Sequence, residues 1–137
     1  MLRQVIVDTS ILIAIIDQRD QYHDWAREQL GESSPPLLTC EAVISETWFL
    51  LRRVRNGREA LLLLLEQERV SVEFNLSAEQ VPVIALMRRY RSVPASVADA
   101  ELVRMAELHP NSSVFTLDSD FQIYRKNRDT PIPLLMP

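Results

Sequence analysis

The sequence predicts an α/β protein with a mostly parallel central sheet. Short apolar segments typical of strands alternate along the chain with amphipathic segments typical of helices. The first strand, residues 5–7, consists of three β-branched apolar residues, which indicates a strand buried on both faces. No repeat, low-complexity segment or linker divides the chain, so residues 1–137 are predicted to form a single domain.

Composition and charge narrow the class of protein. The chain is 47% hydrophobic and 25% charged, as is usual for a globular protein. Its net charge of −4 gives no overall reason to expect nucleic-acid binding. No apolar run approaches the ~18 residues of a membrane span, and no signal peptide is recognisable. We therefore expect a cytoplasmic protein with no membrane partner. The single cysteine, Cys40, agrees with a reducing compartment.

The first half of the chain is predicted to contain four helices and two strands. After the first strand come a helix from residue 10, a helix at 22–30, a strand at 37–39, a helix at 41–54 and a helix around 61–65. Gly31 is expected to end the second of these helices. The helix around 61–65 is apolar nearly all round, which predicts either a central position or an interface.

The second half is predicted to contain two further helices, with one strand before them and two strands after them. These elements are a strand at 70–74, helices opening at 75–79 and 96–99, a strand at 113–117, a helical turn at 121–125 and a strand at 132–135. The alternation of residues 70–74 predicts an exposed edge strand. Ser77 is a candidate helix N-cap, Pro82 is tolerable near a first helical turn, and Ser96 with Asp99 resembles a capping box.

Asp8 ends the first strand and precedes the apolar residues 11–16. A buried carboxylate without a partner costs several kcal/mol or takes up a proton. In open α/β sheets, ligands bind where the carboxyl ends of parallel strands pass into helices. We therefore expect Asp8 to lie in a functional site with something cationic beside it.

Four further acids are expected to lie near Asp8. Asp118 and Asp120 follow the strand predicted at 113–117, and Asp99 lies in the first turn of a helix. Glu46 lies close to the buried face of the helix predicted at 41–54. Each has an ordinary structural explanation, because acids stabilise helix N-termini and form turns, and many are simply exposed. The functional interpretation therefore depends on their joint position at one edge of the sheet.

Carboxylates gathered in one cleft repel one another, and divalent cations remove that repulsion. Oxygen ligands without a nearby histidine or thiolate favour Mg²⁺ or Mn²⁺ over zinc. Magnesium held by a few carboxylates and several waters is typical of phosphoryl transfer, in which the ion activates water and balances phosphate charge. The acids therefore predict a metal-dependent reaction at phosphate.

Four segments of the chain resemble PIN-domain proteins, especially the toxin ribonucleases of bacterial type II toxin–antitoxin pairs. They lie at residues 7–10, 44–47, 96–100 and 116–121, in the family's order, and the resemblance spans about residues 2–125. It implies a three-layer α/β/α sandwich, Mg²⁺-dependent (or Mn²⁺-dependent) endoribonuclease activity, an RNA substrate and a cognate antitoxin protein. It further implies that the catalytic acids are Asp8, Glu46, Asp99 and Asp118, and that the metal ligands are Asp8, Asp99, Asp118 and the auxiliary Asp120.

Other α/β phosphoryl-transfer proteins fit the sequence badly. A haloacid-dehalogenase-like phosphatase requires Asp-x-Asp after its first strand, where this chain has Asp8-Thr9-Ser10. A receiver domain requires a buried lysine, and the only lysine is Lys126. Two glycines are too few for a P-loop or a dinucleotide-binding loop. The alternative that stays open is a non-catalytic PIN-fold protein that binds a partner through its leucine-rich helices.

Two surface features concern partners. The apolar residues at 11–16 and 60–65 exceed what one small domain is expected to bury, which predicts a homodimer. Arginines cluster at residues 52–58, 88–91 and 125–128. The planar guanidinium suits phosphate, although runs of charge are often only solvated helix faces.

Overall fold

Five short parallel strands form the central sheet of this computed structural model, which describes residues 3–137. The strands of the described residues, five in this sheet and two in a separate pair, are β1 (Gln4–Val7), β2 (Leu37–Thr39), β3 (Val70–Val72), β4 (Ser112–Phe115), β5 (Arg125–Lys126), β6 (Thr130–Pro131) and β7 (Leu134–Leu135). The helices are α1 (Thr9–Ile16), α2 (His23–Glu32), α3 (Glu41–Leu50), α4 (Gly57–Glu66), α5 (Leu76–Arg89) and α6 (Val97–Leu108). Two 3₁₀ turns, Leu51–Arg53 and Ser119–Gln122, complete the elements.

The sheet places β1 at its centre. The strand order is β3-β2-β1-β4-β7, and every pairing in the sheet is parallel, while β5 and β6 form a separate antiparallel pair. Ile6 and Val7 of β1 are fully buried, as expected for a strand covered on both faces. The predicted edge position of β3 is confirmed.

The helices lie on the two faces of this sheet. Helix α1 packs against α2, α3 and α4, and α5 packs against α6, which also contacts β1 and β4. This confirms the three-layer α/β/α sandwich with a mostly parallel sheet. Within residues 3–137, no helix is long and apolar enough to cross a membrane.

Two predicted helix boundaries are wrong. Helix α2 continues through Gly31 to Glu32, with Ser33 as its C-cap, because Gly31 keeps an ordinary helical backbone and adopts no positive φ. The N-cap of α5 is Asn75 and not Ser77, since the Asn75 side-chain oxygen accepts the Ser77 N–H at 3.1 Å.

Other elements are shorter than predicted. Helix α3 tightens into the 3₁₀ turn after Leu50, and β3 ends at Val72. Strand β4 ends at Phe115, and the hydroxyl of the next residue, Thr116, donates to Asp8. Pro82 lies in α5 just after a kink at Glu79 (φ −115°, ψ 17°), so it falls near the first turn of the segment that follows.

The two glycines offer a matched pair of stability predictions. A Cβ on Gly57, the first residue of α4, would lie 2.9 Å from the Cβ of Val54, so Gly57→Ala is expected to lower the free energy of unfolding by about 1–3 kcal/mol. A Cβ on Gly31 would meet no atom within 4 Å, so Gly31→Ala should raise the free energy of unfolding by about 0.5–1 kcal/mol. Urea unfolding measures both changes. Shifts of the same sign would contradict this explanation.

Candidate active site

Asp8 lies at the carboxyl end of β1 and is the N-cap of α1. Its Oδ1 accepts the N–H of Thr9 at 2.7 Å, and its Oδ2 accepts the hydroxyl of Thr116 at 2.7 Å. The side chain is only 7% exposed. Within residues 3–137, no lysine, arginine or histidine forms an ion pair with it. The carboxylate is therefore oriented by neutral donors, and its charge is not balanced by a cationic side chain.

Burial raises the pKa of Asp8 from its ordinary value of 3.8 to about 6. The hydrogen bonds from Thr116 and Thr9 oppose this rise, while the negative charges of Asp99 and Asp118 add to it. A protonated carboxyl group is neutral and binds cations weakly. A divalent cation beside it would favour the ionised form. The electrostatics of the site thus favour a bound positive charge.

Thr116 connects Asp8 to the acids that follow β4. While its hydroxyl donates to Asp8, the same oxygen accepts the backbone N–H of Asp118 at 2.9 Å. Asp118 Oδ1 in turn accepts the N–H of Asp120 at 2.9 Å and caps the 3₁₀ turn Ser119–Gln122. The ends of two neighbouring strands are therefore held together through one threonine.

Backbone pairing reinforces this junction. The N–H of Asp8 donates to the carbonyl of Phe115 at 3.1 Å, which extends the β1–β4 ladder by one residue. The hydroxyl of Ser10 accepts the N–H of Leu117 at 3.0 Å. The segments that carry Asp8 and Asp118 are thus fixed to one another by main-chain and side-chain contacts.

Asp99 belongs to the capping box of α6, as predicted. Its N–H donates to the Ser96 hydroxyl at 3.0 Å, and its Oδ2 accepts the Ser96 N–H at 3.1 Å. The hydroxyl of Tyr124 donates to the same Oδ2 at 3.3 Å. Asp99 therefore combines the structural role expected from the sequence with a position in the acid cluster.

Tyr124 lies among three of the acids. It is fully buried and packs edge-on against Tyr90 and Phe121. Burial raises the pKa of its phenol, and the negative charges of Asp99, Asp120 and Asp118 raise it further. The phenol accordingly stays protonated and acts as a hydrogen-bond donor at neutral pH.

Glu46 shares no hydrogen bond with the aspartates in the described part of the chain. It is an exposed residue on α3, and within the described range, residues 3–137, it forms no side-chain hydrogen bond or ion pair. The charges that raise the pKa of Asp8 are those of Asp99 and Asp118. Hydrogen bonds through Thr116 therefore link Asp8, Asp118 and Asp120, and the charge of Asp99 acts on Asp8, while the role of Glu46 stays a prediction.

Three residues of this region were not singled out from the sequence. Thr116 had a signal, since it is a polar residue near the end of the predicted strand 113–117, two residues before Asp118. Tyr124 had none, because an aromatic residue in a short turn is most simply explained as core. Glu101 is only 4% exposed on α6 and faces Cys40, whose thiol pKa is raised chiefly by burial.

No group of three or more His, Cys, Asp or Glu side chains in the described part of the chain is arranged so that it could hold a metal ion. The donors at the acid cluster are carboxylate oxygens and neutral hydroxyls. This donor chemistry fits a hard cation such as Mg²⁺, which takes one or two carboxylates and completes its coordination with water.

The sequence matches the PIN domain family over residues 5–127. The chain belongs to the PIN domain family. The matched range contains the whole acid cluster and Glu46. No curated protein matches the sequence significantly.

The fold of this PIN domain is similar to the crystal structure of Mycobacterium tuberculosis VapC20, described as a sarcin-ricin loop cleaving toxin. The two structures superimpose with a TM-score of 0.77 at 22% sequence identity. The alignment covers 88% of this chain and 94% of VapC20. At this identity, the likeness establishes that the two proteins share a fold.

Proposed function

We propose that this PIN domain protein is a Mg²⁺- or Mn²⁺-dependent endoribonuclease that cleaves RNA phosphodiester bonds with water as the nucleophile. The observation that carries the proposal is the charge of Asp8, buried beside Asp99 and Asp118 with no ion-paired side chain among residues 3–137. The family membership and the likeness to a toxin described as cleaving the sarcin-ricin loop support the same reaction class.

Asp8, Asp99 and Asp118 are the proposed metal ligands, with Asp120 as an auxiliary. Because no three acids among residues 3–137 form a ready-made cage, the ion would take one or two of these carboxylates directly and reach the others through its bound waters. When bound, the ion lowers the pKa of a coordinated water and offsets charge on the scissile phosphate. Thr116 and the Thr9 N–H orient the carboxylate of Asp8, and the N–H of Asp120 orients that of Asp118. Removing such a supporting hydrogen bond typically lowers metal affinity or activity by about 10–100-fold.

Two further residues belong to the proposed active site, Tyr124 as a hydrogen-bond donor and Glu46 as a catalytic acid. The phenol of Tyr124 donates to Asp99 and so holds one carboxylate oxygen in place. Glu46 is included among the catalytic acids on the family resemblance, and its exposure leaves its carboxylate open to solvent. Its function is therefore a separate test from that of the clustered aspartates.

The activity is tested by incubating the purified protein with structured and unstructured RNA. We expect slow internal cleavage with Mg²⁺ or Mn²⁺ and none with EDTA, because the ion supplies both the activated water and the charge balance. Cleavage that survives EDTA would exclude the metal-dependent mechanism. Failure on every RNA, after removal of any bound inhibitor, would favour the non-catalytic PIN-fold interaction protein.

We also propose that the protein is the toxin of a toxin–antitoxin pair and forms a homodimer. Helix α4 is not wholly core, since Leu61 is buried whereas Leu62 and Leu63 are each 42% exposed. Such exposed apolar side chains on one helix are suited to an interface. Light scattering measures the oligomeric state at a protein concentration of about tens of micromolar, which exceeds typical dimer dissociation constants. A monomer at that concentration would contradict the dimer proposal.

A further inference from the structure

A second polar cleft, of about 390 Å³, lies at the far end of α1 from Asp8. It is lined by two separate segments of the chain, residues 16–19 after α1 and residues 53–56 before α4. Three arginines contribute to its walls, Arg19 from the first segment and Arg53 and Arg55 from the second. Arginines that are far apart in the sequence thus line one cavity.

The positive charge of this cleft is poorly compensated. Within residues 3–137, the only ion pairs join Arg104 to Glu79 and Glu107, so the three cleft arginines have none. Asp17 is the one acid in the lining, and its Oδ1 accepts the backbone N–H of Arg19 at 2.9 Å. An anionic ligand in this cleft would therefore lie beside three arginines that form no ion pair and one carboxylate that accepts a main-chain N–H.

The cleft and the acid cluster lie along the same helix. Asp8 is the N-cap of α1 and Asp17 is its C-cap, so eight residues, or about 12 Å, separate the two ends. Ser10, Ile13 and Ile16 are half-buried at helical spacing, and they form a partly open stripe between the two ends. The two ends of α1 are therefore close enough for one linear polyanion to reach both regions.

Exposed aromatic side chains near the C-terminal end of α3, a few residues before the second cleft segment in the sequence, favour RNA over an acidic peptide. Phe49 is 57% exposed with the Arg52 guanidinium 4.1 Å from its ring centre, and Trp48 is 39% exposed with that of Arg58 at 4.6 Å. Exposed aromatic rings and guanidinium planes are the surfaces on which unpaired bases stack. The arginines hold phosphate, for which their planar fork is suited.

We propose that the cleft formed by Arg19, Arg53 and Arg55 binds backbone phosphate of the RNA substrate away from the scissile bond. This inference rests on the proposed ribonuclease function and extends it to how the substrate is held. It also explains how a chain with a net charge of −4 presents a local positive surface to a polyanion.

The test measures binding of a fluorescein-labelled single-stranded RNA of about 12 nucleotides, in EDTA so that binding is separated from metal-dependent cleavage. Arg53→Gln/Arg55→Gln is compared with Arg27→Gln/Arg69→Gln, which removes the same charge from exposed positions outside the cleft. Arg19→Gln tests the second segment independently. A polyglutamate peptide serves as the acidic competitor.

We expect the cleft double variant to bind RNA at least about tenfold more weakly. Its plot of log affinity against log salt should flatten by about 1.4, or about 0.7 for each phosphate that is no longer neutralised. Arg19→Gln should flatten the plot by about half as much. The control double variant should match wild type. Equal behaviour of cleft and control variants would show a merely solvated surface and overturn the inference.

Two further outcomes separate the inference from the proposed function. If polyglutamate binding is lost in the cleft variant while RNA binding is unchanged, the cleft recognises an acidic peptide and the RNA assignment is wrong. If the variants lose RNA affinity as expected but added Mg²⁺ or Mn²⁺ produces no cleavage by wild type, the phosphate site stands and the ribonuclease proposal fails.

Discussion

Replacing Asp8 by asparagine is expected to stabilise the metal-free protein at pH 7 by as much as about 3 kcal/mol, the equivalent of its pKa rise. Folding raises the pKa of Asp8 from 3.8 to about 6, so the native state holds this proton more tightly than the unfolded chain. The stability that this tightly held proton gives to the native state is fully present below pH 4 and is lost as the pH rises through 6. Asparagine carries no charge and avoids that loss. Its single oxygen accepts from only one of Thr9 and Thr116, so the net gain is smaller than the charge contribution alone.

Urea unfolding between pH 4 and pH 7.5 in EDTA measures this effect. Wild type should become less stable across the interval, whereas the stability of Asp8→Asn should change less. Asp129→Asn is the control, because Asp129 is exposed and should leave the pH dependence of wild type unchanged. Should metal-free Asp8→Asn unfold well below wild type at pH 7, the hydrogen bonds from Thr9 and Thr116 would outweigh the buried charge, and Asp8 would be a structural acid.

Asp118→Asn and Asp99→Asn are each expected to lower RNA cleavage at least about a hundredfold, since losing a metal ligand removes several kcal/mol of transition-state stabilisation. Asparagine keeps the shape of the side chain, so the hydrogen bond that Asp118 accepts from Asp120 can persist. Initial rates at saturating Mg²⁺ measure the loss. Circular dichroism verifies that each variant is folded.

Asp129→Asn again serves as the control and should cleave at the wild-type rate. Glu46→Gln is assayed in parallel, because Glu46 lies outside the contacts that join the aspartates. A wild-type rate in Asp118→Asn would contradict the assignment of the cluster as catalytic. A wild-type rate in Glu46→Gln alone would remove only that residue from the set.

The sheet and the position of Asp8 could be predicted because each depends on local pattern. A run of β-branched residues interrupted by one carboxylate indicates a buried strand with a functional acid at its end, and β1 with Asp8 has that arrangement. The capping box of Ser96 and Asp99 is likewise a short-range signal. Such features are determined by residues within one turn or strand.

The contacts that organise the site are long-range, which is why the sequence did not reveal them. Thr116 reaches Asp8 across 108 residues, and Tyr124 reaches Asp99 across 25. The convergence of Arg19 with Arg53 and Arg55 similarly follows from how α1 packs against α3 and α4. Gly31 failed as a helix stop because a glycine with an ordinary helical backbone is tolerated inside a helix.

Direct titration with Mn²⁺, followed by the electron paramagnetic resonance of the free ion at pH 7, tests most directly whether the clustered aspartates form a metal site. Wild type is expected to bind Mn²⁺, and Asp8→Asn and Asp118→Asn should bind it at least about tenfold more weakly. Asp129→Asn should bind it as wild type does. Identical Mn²⁺ binding by wild type and both cluster variants, or no binding by wild type at millimolar ion, would contradict the metal site.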